Sequence, residues 1–146
     1  MTDIQRSWIP SAIIVDLDGT LALLNGRNPY DASTCENDAL CPVVSEIIRN
    51  YVAANGDRCV ILMSGRMDEH REPTTRWLEK HSILWDHLHM RATGDGREDS
   101  VVKRELFDNH VRGAYNIDYV LDDRSTVVSM WRSLGLKTLQ VADGNF

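Results

Sequence analysis

The stretch AIIVDLDGT, residues 12–20, decides the fold. Ala12-Ile13-Ile14-Val15 is the short apolar run of a strand buried on both faces, yet it leads directly into two carboxylates, Asp16 and Asp18, and the turn residue Gly19. Paired negative charges at the end of a buried strand repel each other, so the folded chain must bring something to offset them. That partner is expected where other strands end.

Working outward, short apolar runs alternate with segments of helical spacing, the pattern of a parallel sheet covered by helices on both faces. Strands are predicted at 12–17, 58–65, 87–91, 118–123 and 137–141, and helices at 43–55, 72–82, 97–111 and 125–135. Gly56 and Gly135 read as helix stops and Pro73 as a first-turn residue. The expectation is a doubly wound, Rossmann-like α/β fold of about five parallel strands. It contains no repeat, low-complexity tract or linker, so residues 1–146 are expected to form one domain. The segment 21–42 reads as a loop of about twenty residues, too short for a large cap domain.

Composition narrows the class. The chain is 42% hydrophobic and 26% charged, and no apolar run reaches membrane-spanning length. The start MTDIQRSW lacks the basic and apolar regions of a secretory leader. Cys35, Cys41 and Cys59 are too few and too irregular for a disulfide framework or a zinc site, so reduced thiols and a cytoplasmic location are expected. A net charge of −6 argues against a broad nucleic-acid-binding face, though not against a local basic pocket.

In open sheets of this kind ligands sit beyond the carboxyl ends of the strands. Those ends carry Asp16 and Asp18, then Ser64-Gly65-Arg66, then Asp122-Asp123-Arg124. Four carboxylates meeting at one edge call for a hard divalent cation, and all-oxygen ligation suits magnesium. Asp16 could then act as a nucleophile, with Asp18 protonating a leaving oxygen and later deprotonating water. Ser64 and the amides of Gly65 and Arg66 could donate to phosphoryl oxygens. Asp99 and Lys103 lie one helical turn apart and in the favourable order, which fits a lysine oriented by an aspartate. The spacing alone fits a solvated surface pair equally well.

These residues resemble the motifs of the haloacid dehalogenase superfamily of phosphotransferases: VDLDGT, MSGR, Lys103 and LDDR occur in the family's order. More narrowly, NGRNPYD (25–31), LDDRSTVVSMWRSLG (121–135) and QVADGNF (140–146) make nearly the whole chain similar to the 3′-phosphatase domains of bacteriophage polynucleotide kinases. The resemblance implies a magnesium-dependent polynucleotide 3′-phosphatase, a phosphoric monoester hydrolase in a bacterial or phage-infected cell, working through an aspartyl-phosphate. It implies Asp16 as nucleophile and Asp18 as general acid and base. Magnesium would be held by Asp16, the Asp18 carbonyl, Asp122 and Asp123, with Asp123 favoured as the direct ligand of that pair. Ser64 and Lys103 would touch the phosphoryl group, Asp99 would position Lys103, and Arg27 and Arg66 would be needed for activity as fork donors. No G-x-x-x-x-G-K-[ST] run occurs, so no kinase activity is expected of this chain.

Residues 17–63 and 67–98, which separate Asp16 from Ser64 and Arg66 from Asp99, hold no folded cap. An open site admits a polymer end, so 3′-phosphorylated DNA or RNA is the expected substrate, with a kinase or ligase partner left open. Two alternatives stand beside it: a small-molecule phosphatase or nucleotidase of the same superfamily, and a non-enzymatic phospho-acceptor module, whose acidic pair would come early rather than last. His87 and His89 have no third ligand nearby in sequence and read as structural or surface residues. Trp77 and Trp131 read as core. Trp8 and Trp85 fit either role, and Tyr30 is the aromatic best placed to touch a nucleotide.

Overall fold

Alternating burial on two faces needs both faces covered, and the chain supplies helices in pairs to do it. The computed structural model describes residues 9–54 and 56–146. Trp8 and the reading of the first eight residues as lacking a leader lie outside the described residues. The main strands are β1 (Ser11–Val15), β4 (Arg58–Met67), β5 (His87–Arg91), β6 (Asn116–Asp122) and β7 (Thr138–Gln140). They form one parallel sheet in the order β5-β4-β1-β6-β7. This is the predicted doubly wound sheet, and the strand order reverses between β1 and β6.

Successive β1 residues point to opposite faces, so Ile13 and Val15 enter one core while Ala12 and Ile14 enter the other. On the first face pack α1 (Pro42–Ala53) and α2 (Arg71–Lys80). Helix α1 opens on Pro42, whose missing N–H costs nothing there, and buries Val44, Ser45, Ile48 and Tyr51 at helical spacing. Helix α2 contributes Trp77 and Leu78. The second face is covered by α3 (Asp99–His110) and α4 (Ser125–Ser133), which contribute Phe107, Val127 and Trp131. Trp77 and Trp131 are both fully buried, as their apolar neighbours indicated.

Two features depart from the sequence reading. The segment 21–42 is not a plain loop: it pairs β2 (Ala22–Leu23) with β3 (Ala39–Leu40) in a small antiparallel ribbon and adds one 3₁₀ turn at Cys35–Asn37. Strands of two residues carry no readable periodicity. Strand β4 runs to Met67, two residues beyond the predicted end, and its register against β5 slips between Ser64 and Met67. Gly65 and Arg66 therefore sit in a bulge rather than a loop, and a bulge re-aims the side chains it carries. No helix among the described residues is long and apolar enough to cross a membrane. The three cysteines are free thiols.

Candidate active site

The strand-order reversal brings the ends of β1 and β6 together, and three carboxylates meet there. Asp16, Asp122 and Asp123 are buried, and each offers an oxygen within 4.8 Å of the others. Against them the protein sets one cation. Lys103 faces inward from α3 between Val102 and Phe107, is 1% exposed, and donates to Asp16 Oδ1 at 2.7 Å and Asp122 Oδ2 at 2.9 Å. Burial opposes its charge, but Asp122, Asp16 and Asp99 hold its pKa well above the ordinary lysine value, so it stays an ammonium. Burial first, then Asp122, push the Asp16 carboxyl well above the usual range despite Lys103. Asp123 is pushed up by burial as well.

With all three carboxylates ionised against one ammonium, two negative charges would remain, the charge of one divalent cation, which would favour their ionised forms. An all-oxygen donor set of this kind fits magnesium. Asp16, Asp122 and Asp123 are the side chains that would hold it.

Five of the six carboxylate oxygens of this cluster have a hydrogen-bond partner, two of them through Lys103. Thr20 Oγ1 contacts Asp16 Oδ2 at 3.0 Å and Asp123 Oδ1 at 3.2 Å. Asp122 Oδ1 accepts from the Asp123 amide at 2.9 Å, and its Oδ2 accepts from Trp131 Nε1 at 3.2 Å. Gly19 sits at φ +83°, and a methyl group there would lie 2.2 Å from Asp123 Oδ2. Only glycine permits both the turn and that approach.

Asp18 does not join the acidic cluster. Its side chain turns to two arginines: Arg27 Nη2 at 2.8 Å and Arg66 Nη2 at 2.7 Å, both on Oδ1. The same two arginines grip Asp38, a buried residue at the ribbon's second strand, with Arg27 Nη2 at 2.9 Å and Arg66 Nη2 at 3.1 Å from its Oδ2. Arg66 also donates to Thr74 Oγ1 at 3.0 Å. The repulsion raised by the D-x-D pair is thus resolved in two places, Asp16 by Lys103 and Asp18 by arginines.

The sequence reading is corrected at two points, and at a third the structure adds partners that it did not foresee. The expected four-carboxylate cluster contains three side chains. Asp99 does not pair with Lys103; it accepts from Arg91 Nη2 at 2.8 Å and faces Arg124 Nη1 at 3.7 Å, because Lys103 is drawn into the core by Asp16 and Asp122. Burial would raise Asp99, but Lys103, Arg91 and Arg124 together hold it below the ordinary carboxylate value. Arg27 and Arg66, expected as fork donors to a phosphate, have their forks engaged by Asp18 and Asp38.

Asp16, Asp18, Gly65, Arg66, Asp99, Asp122 and Asp123 line one cleft of about 780 Å³. Ser64 is buried, its Oγ accepting from the Arg66 amide at 3.1 Å, and the Gly65 carbonyl accepts from Arg91 Nε at 2.8 Å. Sequence reasoning missed Asp38, Thr74, Arg91 and the Trp131 N–H. Thr20, four residues after Asp16, carried a signal that went unused, since a hydroxyl there can reach back to the strand end.

Comparison with known proteins identifies the family. A family model for the phosphatase domain of the polynucleotide kinase PNKP, within the haloacid dehalogenase class, matches residues 10–146. The chain belongs to this family. It is 37% identical over 133 residues to a protein of Autographa californica nuclear polyhedrosis virus named as a candidate bifunctional polynucleotide kinase/RNA ligase. That match covers 89% of this chain and 19% of the viral protein. Among solved structures, a chain of the Pnkp1/Rnl/Hen1 RNA repair complex superposes with a TM-score of 0.91 at 47% identity, over 94% of this chain and 44% of that one. A second Pnkp1/Rnl/Hen1 complex gives 0.92 at 46% identity, over 96% and 48%. The chain therefore spans less than half the length of the relatives it matches.

Proposed function

We propose that this phosphatase domain removes the 3′-terminal phosphate from nucleic-acid ends in a magnesium-dependent reaction through an aspartyl-phosphate. The observation that carries the reading is the division of labour inside D-x-D. Asp16 lies against a buried ammonium, while Asp18, two residues on, is fixed by two arginines on the wall of the same cleft.

Asp16, its two oxygens held by Lys103 and Thr20, attacks the phosphorus as the bond to the 3′ oxygen breaks. Asp18 gives its proton to that leaving oxygen. It then takes a proton from water, whose oxygen attacks the phosphoaspartate; inorganic phosphate departs and Asp16 is regenerated. Lys103 stays protonated throughout and offsets charge on Asp16 and the transferred group. Magnesium bound to Asp16, Asp122 and Asp123 would supply Lewis-acid neutralisation of the phosphoryl oxygens. The narrow ribbon at residues 21–42 leaves the cleft approachable by a polymer end, which supports a nucleic acid over a small phosphate. We further propose that kinase and ligase functions act alongside this domain from other chains or domains, as the names of its relatives indicate. The free thiols fit a reducing cytoplasm.

The test is phosphate release with magnesium from a short oligonucleotide 3′-phosphate and from the matching 3′-mononucleotide, with Asp16→Asn as the blank. Strong preference for the oligonucleotide is expected. Equal rates would favour a small-molecule phosphatase, and no release above the blank would overturn the enzymatic reading.

A further inference from the structure

Among the described residues, the exposed large hydrophobic side chains include only two aromatic rings, Tyr30 at 76% and Phe146 at 53% exposure. Both line the cleft that holds Asp16 and Asp18. Both rings leave more than half of their surface in solvent, yet the chain fixes both.

The loop carrying Tyr30 is tied by Arg27, whose Nη1 donates to the carbonyls of Asn28 at 3.3 Å and Asp31 at 2.6 Å. The Tyr30 amide itself donates to Asn28 Oδ1 at 2.9 Å. The segment carrying Phe146 is pressed against the end of β6: the Ser125 amide donates to the Gly144 carbonyl at 2.9 Å, and Ser125 Oγ to Asn145 Oδ1 at 3.1 Å. The approach is so close that a methyl group on Gly144 would lie 1.8 Å from the Asp123 carbonyl oxygen. Arg124 joins the two rings. Its Nη2 donates to Tyr30 Oη at 3.3 Å, its Nε donates to the Phe146 carbonyl at 2.8 Å, and its guanidinium lies 5.0 Å from the centre of the Phe146 ring.

We infer that Tyr30 and Phe146, braced by Arg124, form a stacking platform for the base of the 3′-terminal nucleotide. This rests on the 3′-phosphatase reading above and adds to it a source of substrate choice: a base is required beside the phosphate being removed. Aromatic side chains stack on any base through its π-face, so the platform selects nucleotides from other phosphomonoesters while remaining tolerant of sequence. The Arg124 guanidinium faces the Phe146 ring and reaches Tyr30 through its hydroxyl. The distinctive NGRNPYD segment and the terminal QVADGNF thereby gain a role that the acidic cluster does not explain.

The experiment compares kcat/KM for a short oligonucleotide 3′-phosphate with that for the same oligonucleotide carrying an abasic 3′-terminal nucleotide. The proteins are wild type, Tyr30→Ala, Phe146→Ala and Tyr30→Phe, with matched melting curves. Wild type is expected to prefer the base-bearing substrate by at least about tenfold, the effect of one ordinary base–aromatic stack. Each alanine variant should cut that preference severalfold, chiefly through KM, and Tyr30→Phe should keep most of it. Equal turnover of the two oligonucleotides by wild type overturns the platform but not the phosphatase. So does an equal loss on both substrates in the alanine variants. Release from the 3′-mononucleotide with none from either oligonucleotide removes the nucleic-acid reading and the platform together.

Discussion

Asp38 touches no reacting group, yet two arginines depend on it. Its buried carboxylate accepts from Arg27 Nε and Nη2 and from Arg66 Nη2, and those guanidinium groups in turn hold Asp18. Asp38→Asn keeps the shape but presents an amide to two buried cations. Breaking a buried pair costs about 3 kcal/mol or more, and a domain of this size loses roughly 2–4 °C per kcal/mol, so the melting temperature should fall by about 10 °C. Phosphate release from an oligonucleotide 3′-phosphate should drop by at least about tenfold in kcat with KM less affected, because Asp18 loses its alignment. Unchanged kcat in a folded variant would show that Arg27 and Arg66 hold Asp18 unaided. Asp16, Asp18, Asp122 and Asp123 were legible because strand ends are legible and carboxylates there are hard to explain otherwise. Asp38 was not, since nothing local separates it from Asp31 or Asp57. Its meaning comes from Arg66, 28 positions away, and exists only once the sheet and ribbon have closed.

At the scale of elements, the long apolar runs announced themselves, and β5 was read at its observed limits despite its two histidines. What periodicity could not give was the bulge in β4 or the pairing of β2 with β3, since both depend on neighbours distant in sequence. The β5 histidines are also not isolated. His89 stacks on His110 of α3 with ring centres 4.5 Å apart, His87 lies 6.1 Å from His89, and Tyr115 Oη meets His87 Nε2 at 2.8 Å. Burial, then the neighbouring His110, His87 and Arg71, depress the pKa of His89 to about 4. The unfolded chain binds this proton near the ordinary value of 6.5 while the folded chain resists it until about 4. This histidine's contribution to stability is therefore complete above about pH 6.5 and is lost as pH falls toward 4. Wild type should lose melting temperature across that window faster than His89→Phe, which keeps a ring against His110 and removes the titration. Parallel curves for the two proteins would mean that acid acts elsewhere.

The whole molecule carries a net charge of −6, yet the wall of its main cleft includes Arg66, Arg91, Arg97 and Arg124. These arginines are paired with carboxylates of the same wall, Arg66 with Asp18, Arg91 and Arg124 with Asp99, and Arg97 with Asp95, whereas the three carboxylates at the floor share the Lys103 ammonium. The sheet order that produces this floor was not readable from the chain, which names strands but not their neighbours; the rule that ligands gather where the order reverses supplied the expectation. Crowding three buried carboxylates strains the native state more than the unfolded one, where solvent separates the same groups, and the raised Asp16 and Asp123 carboxyls reflect that strain. A divalent cation that binds only the folded form should accordingly stabilise it, by about 2.7 kcal/mol at a hundred times its dissociation constant. At roughly 2–4 °C per kcal/mol, magnesium should raise the melting temperature by about 5–10 °C over the same protein in chelator. Sodium chloride at equal ionic strength should not reproduce the rise, since screening reaches buried charges poorly. Asp123→Asn should melt higher than wild type in chelator, because one of the repelling charges is gone, and should respond less to magnesium. If magnesium leaves the wild-type curve unmoved, the acidic floor is balanced from within, and Lys103 offsets it without a metal.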